Sequence, residues 1–219
     1  DLNAACSGFL YSLSTADALI RAGHGKKALV LGSELLSTVT DYTDRATCIL
    51  FGDGAGAAVL SESTDGDGVL SCHLHSDGNL WELIHAPGGG TVHPYGPETA
   101  KEWVHAIKMS GNETFKHAVT KMSDLALKTL SAGGHDVDDL ALFVPHQANL
   151  RIISAVGKRI GIPQDRVFVN LDRYGNTSAA SIPIALAEAK AQGRLRMGDL
   201  VLLASFGAGL TWASVLMRM

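Results

Sequence analysis

Apolar residues along this chain alternate between two textures: stretches in which they recur at helical spacing, and short continuous runs of the kind that buried strands show. Residues 7–22 read as a helix, with Phe9, Leu10, Leu13, Ala16, Ala18 and Ile20 forming a broad apolar face and Gly23 as its stop. The apolar run at residues 28–32 predicts a strand buried on both faces. Residues 47–51 and 55–61 predict two more strands around Gly52-Asp53-Gly54-Ala55-Gly56, and residues 1–5 read as the tail of another.

The texture changes at Ser63-Thr64-Asp65-Gly66-Asp67-Gly68, a polar, glycine-rich hinge that divides the chain into residues 1–65 and 66–219. Beyond it the pattern predicts a strand at 69–76, a surface excursion at 85–99 rich in Gly and Pro, and a long helix at 109–131. A strand at 140–144, a helix at 149–160, a short strand at 167–170 and a helix at 178–192 follow, and strands at 200–206 and 211–217 close the chain. Strands alternating with helices argue for an α/β layered fold with mainly parallel sheets, in which reactive residues gather at strand ends and the loops that follow.

Composition narrows the class. With 46% hydrophobic and 18% charged residues over 219 positions, the chain can bury a large core. A net charge of −4, with no basic run carrying interleaved aromatics, argues against nucleic-acid binding. No apolar stretch is long enough to span a bilayer and no basic-then-apolar leader opens the chain, so no membrane partner is expected and the setting is read as cytoplasmic. The three cysteines, Cys6, Cys48 and Cys72, lack C-x-x-C spacing and indicate neither a disulfide framework nor a zinc ribbon.

Three places between a strand and a helix carry unusual residues. Cys6 lies in Ala4-Ala5-Cys6-Ser7-Gly8-Phe9 at the start of a predicted helix, where the helix dipole would favour a thiolate; a small buried hydrophobe is the alternative. His146 lies in Val144-Pro145-His146-Gln147-Ala148-Asn149, and Asn176 in Tyr174-Gly175-Asn176-Thr177-Ser178. Singly, His146 reads equally as a structural histidine and Asn176 as a turn or cap residue. Together, a Cys, a His and an Asn in three strand-to-helix loops can converge on one pocket.

These segments resemble the β-ketoacyl-acyl-carrier-protein synthase III family of the thiolase superfamily, the initiating condensing enzymes of bacterial fatty-acid synthesis. The resemblance covers nearly the whole chain. It rests on the cysteine segment, on Asp44-Arg45 with Phe51-Gly52-Asp53-Gly54-Ala55-Gly56-Ala57, on the segment from Val144 through Ile153, on Gly175-Asn176-Thr177-Ser178-Ala179-Ala180-Ser181, and on Phe206-Gly207-Ala208-Gly209. It implies a layered α/β/α/β/α fold with mixed five-stranded sheets. The first half is expected to be incomplete, since family members carry a further segment before the cysteine.

The family's chemistry, carried onto these residues, gives Cys6, His146 and Asn176 as the catalytic group, with the backbone N–H groups of Cys6 and Ala208 as an oxyanion hole. The resemblance places Arg45, Asn149 and Phe206 at CoA or pantetheine, and Phe51, Ile107 and Met109 in the acyl pocket. Lys116, Arg151, Lys158 and Arg159 become a docking patch for acyl carrier protein, although alone they read as ordinary surface charges. Acyl-CoA, with acetyl-CoA the expected primer, and malonyl-carrier protein are the implied substrates. No cofactor or metal is expected, and a homodimer is expected for the full-length parent. Alternatives are a synthase-III-like enzyme of polyketide or quinolone biosynthesis and an inactive thiolase-fold fragment.

Two other features favour plain readings. Gly52-x-Gly54-x-x-Ala57 imitates a dinucleotide fingerprint but runs into the strand-like Ala57-Ala58-Val59-Leu60, which predicts a tight backbone crossing near the site. His73-x-His75, with His85 and His93, lacks a spaced carboxylate or thiolate to complete a metal site.

Overall fold

The computed structural model describes residues 1–63, 65–101 and 104–219, so Thr64 of the predicted hinge lies outside the described residues. Residues 1–4 form no strand, and Ala5–Ser7 make a single 3₁₀ turn that leads into helix α1, Gly8–Arg21. Gly23, at φ +78°, ends that helix in the left-handed conformation common after a last turn.

Two sheets follow, divided where the polar hinge falls. Strand β1 (Lys27–Glu34) pairs antiparallel with β2 (Gly54–Ser61). Strand β3 (Gly68–Ser76) begins the second sheet, which is completed by β6 (Leu142–Pro145), β7 (Leu200–Gly207) and β8 (Thr211–Arg218) in the order β3-β8-β7-β6. Between them in sequence lie a two-residue ribbon, β4 (Ile84–His85) with β5 (Lys108–Met109), and a short helix α2 (Pro97–Lys101). Helices α3 (Gly111–Ala132), α4 (Leu150–Ile160), α5 (Leu171–Tyr174) and α6 (Ser181–Ala191) complete the elements.

Strand β7 is buried along its whole length and carries the core on both faces. Val201 and Leu203 pack on one side with Phe9, Leu10 and Leu13 of α1 and Ile182 and Ala185 of α6. Leu202 and Ala204 pack on the other with Met122 and Leu130 of α3 and Ile153 and Val156 of α4. Helices α1 and α6 also support the β1–β2 pair, so the layers run α/β/α/β.

Several expectations are corrected. Pairing is mainly antiparallel instead of mainly parallel: β1–β2 is antiparallel throughout and only β6 with β7 runs parallel in the four-stranded second sheet, which is mixed as the resemblance implies; the predicted strand at 167–170 contributes only the bridge between Phe143 and Val167. Among the described residues no fifth layer covers the β1–β2 pair, in keeping with the expected incomplete first half, and β1 is buried on one face only. Leu29, Leu31 and Val59 are 63%, 62% and 69% exposed on the open side. Residues 47–50 turn instead of extending, because Asp44 draws the local backbone into its own hydrogen bonds: its side chain accepts from the Ala46 N–H, and its carbonyl accepts from Thr47 and Cys48. Only Phe51 pairs, in a bridge with Asn176. The long helix starts at Gly111, leaving Met109 in β5.

That bridge is where the two sheets meet, and it needs Gly52. A Cβ there would collide with the backbone carbonyl of Tyr174, which has no soft way to yield. The glycine-rich segment is therefore a tight crossing. Gly52→Ala is expected to lower unfolding free energy in urea by about 3 kcal/mol, whereas Gly78→Ala, whose methyl meets nothing within 4 Å, should change it by less than about 0.5 kcal/mol. Equal stability of the two variants would contradict the crossing's role.

Candidate active site

Three separate segments meet at one cavity of about 280 Å³, lined by Cys6, His146 and Asn176 together with Phe51, Phe206 and Gly207; of the three, only His146 lies directly between a strand and a helix. Each polar residue is held by a different local device.

Cys6 sits in the 3₁₀ turn ahead of α1, after Ala5 at φ +46°. Gly207, at the end of β7, lies so close that a Cβ on it would stand 2.7 Å from the Cys6 nitrogen and 2.9 Å from its Cβ. This contact fixes the cysteine against the sheet. The residue is half-buried, and burial pushes the Cys6 thiol up to about 11; a hydrogen bond from Ser178 opposes this, and the Glu34 carboxylate adds to it. The expectation of a resting thiolate at a helix N-terminus is thus overturned, because loss of hydration outweighs the dipole.

His146 follows β6 directly, and its N–H donates to the Ala204 carbonyl of β7 at 2.8 Å. Gln147 locks the loop: its amide donates to the carbonyls of Pro145 (2.8 Å) and Phe168 (3.2 Å) and its Oε1 accepts from the Asn170 N–H. The imidazole is 2% exposed, with Nδ1 2.7 Å from the Ser181 hydroxyl and Nε2 without a partner among the described residues. Burial alone pulls its pKa down from 6.5 to about 4, so the ring is neutral at ordinary pH.

Asn176 is pinned on both sides of its backbone, donating to the Leu50 carbonyl (2.8 Å) and accepting from the Gly52 N–H (3.0 Å). Its Oδ1 accepts from the Ser178 N–H at 2.9 Å, which assigns the amide orientation and leaves the NH₂ group as the end free for a ligand. A neutral imidazole and an amide NH₂ on one dry cavity can stabilise an oxygen that gains negative charge during a reaction.

The 3-oxoacyl-[acyl-carrier-protein] synthase III description matches residues 1–78, and the description of that family's C-terminal part matches residues 130–219. The β-ketoacyl-[acyl-carrier-protein] synthase III of Roseiflexus castenholzii is 52% identical over 218 residues, covering all of this chain and 66% of the relative. Two solved synthase III structures superpose over the whole chain. That from Aquifex aeolicus has a TM-score of 0.92 at 45% identity and 66% coverage of its own length; that from Thermus thermophilus has 0.92 at 47% identity and 67% coverage. The chain belongs to the synthase III family. It spans about 66% of the length of the curated relatives it matches.

Within this synthase III chain the remaining predicted residues fall in different places. Asn149 and Phe206 line the cavity, and Asn149 also caps α4, its side chain accepting from the Arg151 N–H at 2.8 Å. Arg45 is exposed and does not line it, although its neighbour Ala46 does. The predicted acyl-pocket residues separate. Met109 lines the first cavity, while Ile107 and Ala208 line a second of about 320 Å³ on the other side of Cys6, with Phe51 on both. The four basic residues are not one unpaired patch, since Lys116 pairs with Glu113 (2.7 Å) and Arg159 with Asp124 (3.1 Å). Arg151 lies over the Phe115 ring, 5.3 Å from its centroid, at the first cavity.

Ser178 and Ser181 are functional residues that the sequence reading does not single out; their register, two and five residues beyond Asn176 in the same segment, is the signal that points to them. His73 contacts the Thr129 hydroxyl and His75 stacks on Trp212; among the described residues no three potential ligands cluster for a metal.

The neutral burial of His146 couples stability to pH. Between pH 6.5 and about 4 the unfolded chain binds a proton that the folded chain refuses, so stability is full above that window and declines as pH falls through it. The loss should be on the order of 3 kcal/mol. Urea denaturation across this range should show the slope in the unaltered protein and its reduction in His146→Gln; identical slopes would contradict the burial of a neutral ring.

Proposed function

We propose that this chain carries the condensing chemistry of a β-ketoacyl-acyl-carrier-protein synthase III. The observation that carries the reading is the convergence of Cys6, His146 and Asn176, from three separate connections, on a single cavity. The sequence division at residues 1–65 and 66–219 then corresponds to two thiolase-like halves, the first supplying the nucleophile and the second the His and Asn.

Cys6 Sγ attacks the thioester carbonyl of an acyl-CoA primer, taken as acetyl-CoA. The bond from that carbon to the CoA sulfur breaks, and the thiol proton leaves with CoA as its free thiol. Sγ gives up its proton as it attacks, and the negative charge moves from sulfur to the thioester carbonyl oxygen before the CoA sulfur departs with a proton. The Ser178 hydrogen bond eases ionisation of Sγ, and the backbone N–H groups of Cys6 and Ala208 receive the charge that develops on the carbonyl oxygen.

Malonyl-carrier protein follows. Its C–CO₂ bond breaks, carbon dioxide departs, and the electron pair is shared between Cα and the thioester oxygen. His146 Nε2 and Asn176 Nδ2 hydrogen-bond that oxygen. Cα then forms a bond to the acyl carbon on Cys6, the bond to Sγ breaks, and the thiolate regains a proton from water. Neither step needs a cofactor or metal. Asn149 and Phe206 flank the pantetheine, with Arg45 toward the nucleotide end, while Phe51, Ile107 and Met109 contact the acyl and pantetheine chains. Acyl carrier protein docks on the side of Arg151 and Lys158, with Lys116 and Arg159 at its edge. The setting is cytoplasmic and the full-length parent a homodimer.

Asn176→Ala should leave acylation of Cys6 by acetyl-CoA, read by intact mass, within about twofold of the unaltered protein while malonyl-dependent CO₂ release falls roughly a hundredfold or more. Equal loss of both would contradict the division of labour, and no acylation of the unaltered protein would sink the reading. Arg151→Glu should weaken use of malonyl-carrier protein strongly with acyl transfer from CoA nearly intact; parallel loss would remove the docking assignment.

A further inference from the structure

We propose that Ser181 is a positioning residue that sets which nitrogen of His146 carries the proton, holding it on Nε2. A neutral imidazole has one N–H and one bare nitrogen, and the partner of one fixes the state of the other. The Ser181 Oγ lies 2.7 Å from Nδ1 and is itself 2% exposed. The backbone N–H of Gln147 donates to the same oxygen at 3.4 Å. A hydroxyl owns one hydrogen, and among the described residues Nδ1 is the only acceptor within reach of it. With the ring proton on Nδ1, the oxygen would receive two donors and its own hydrogen would be buried without an acceptor, the costlier arrangement. With Oγ donating to Nδ1, every group is satisfied except Nε2–H.

That remaining hydrogen belongs to the ring end with no partner among the described residues, on a ring that lines the same cavity as Cys6 and Asn176. One short segment then orients both polar groups opposite the cysteine: the Ser178 N–H turns the Asn176 amide, and the Ser181 hydroxyl sets the His146 ring. The functional consequence rests on the reading of His146 as a donor to the malonyl thioester oxygen. A bare Nε2 would face that oxygen as a second acceptor and could not stabilise its charge.

Nitrogen NMR of protein labelled in its histidines tests this, with His146 assigned by the signal lost in His146→Gln. The unaltered protein should show a protonated Nε2 and a bare Nδ1. Ser181→Ala should give a mixture of tautomers and malonyl-dependent CO₂ release lowered roughly tenfold, the size of one lost neutral hydrogen bond. Ser181→Thr, which keeps the hydroxyl, should restore both. A proton on Nδ1 in the unaltered protein overturns the proposal, as does Ser181→Ala leaving either readout unchanged. If Ser181→Ala does not fold, the spectrum of the unaltered protein still decides. Should the unaltered protein neither acylate nor release CO₂, the condensing reading falls while the spectrum continues to decide the tautomer.

Discussion

Exclusion of water from the junction of the two sheets is the constraint on which the site depends. Gly207 brings the end of β7 against Cys6, and Gly52 brings the chain after the Asp44 turns against Tyr174. Both contacts are backbone-close, and together they seat a thiol and an imidazole where neither can hold charge cheaply: the thiol is pushed up to about 11 and the imidazole down to about 4. The thiol and the ring therefore rest neutral. The site's electrostatics come from oriented N–H and NH₂ groups, which hold their geometry before a reaction begins and gain strength where water is absent.

The layering serves that arrangement. Strand β7 is packed from both faces, and both Cys6 and His146 are fixed to its C-terminal part, one through Gly207 and the other through the Ala204 carbonyl. Asn176 reaches the same place from the other sheet's side through its bridge to Phe51. An open apolar face on β1 and β2 accompanies a chain that spans about 66% of its relatives' length.

Much of this was legible in the residues. Helices α1, α3 and α4 follow from apolar spacing, and the Gly23 stop and the Asn149 cap from local chemistry. The positions of His146 and Asn176 after strand-like runs were enough to suggest convergence. Strand direction was not legible, because a continuous apolar run marks burial and says nothing about which neighbour it pairs with. The turns at 47–50 were hidden behind apolar Ile49 and Leu50, while the deciding group was the Asp44 side chain a few residues earlier. The thiol's state was misjudged because a helix N-terminus is a local property and burial is a global one. The hydroxyl of Ser181 escaped notice for a similar reason: its meaning comes from a ring 35 residues away.

The resting state of Cys6 is the most direct measure of whether exclusion of water governs this junction. With Cys48 and Cys72 replaced by alanine, the rate of alkylation of Cys6 by iodoacetamide should climb steadily with pH toward a midpoint near 11. A rate that reaches its plateau by about pH 7, as it does for a cysteine activated by a helix N-terminus or a neighbouring cation, would contradict it.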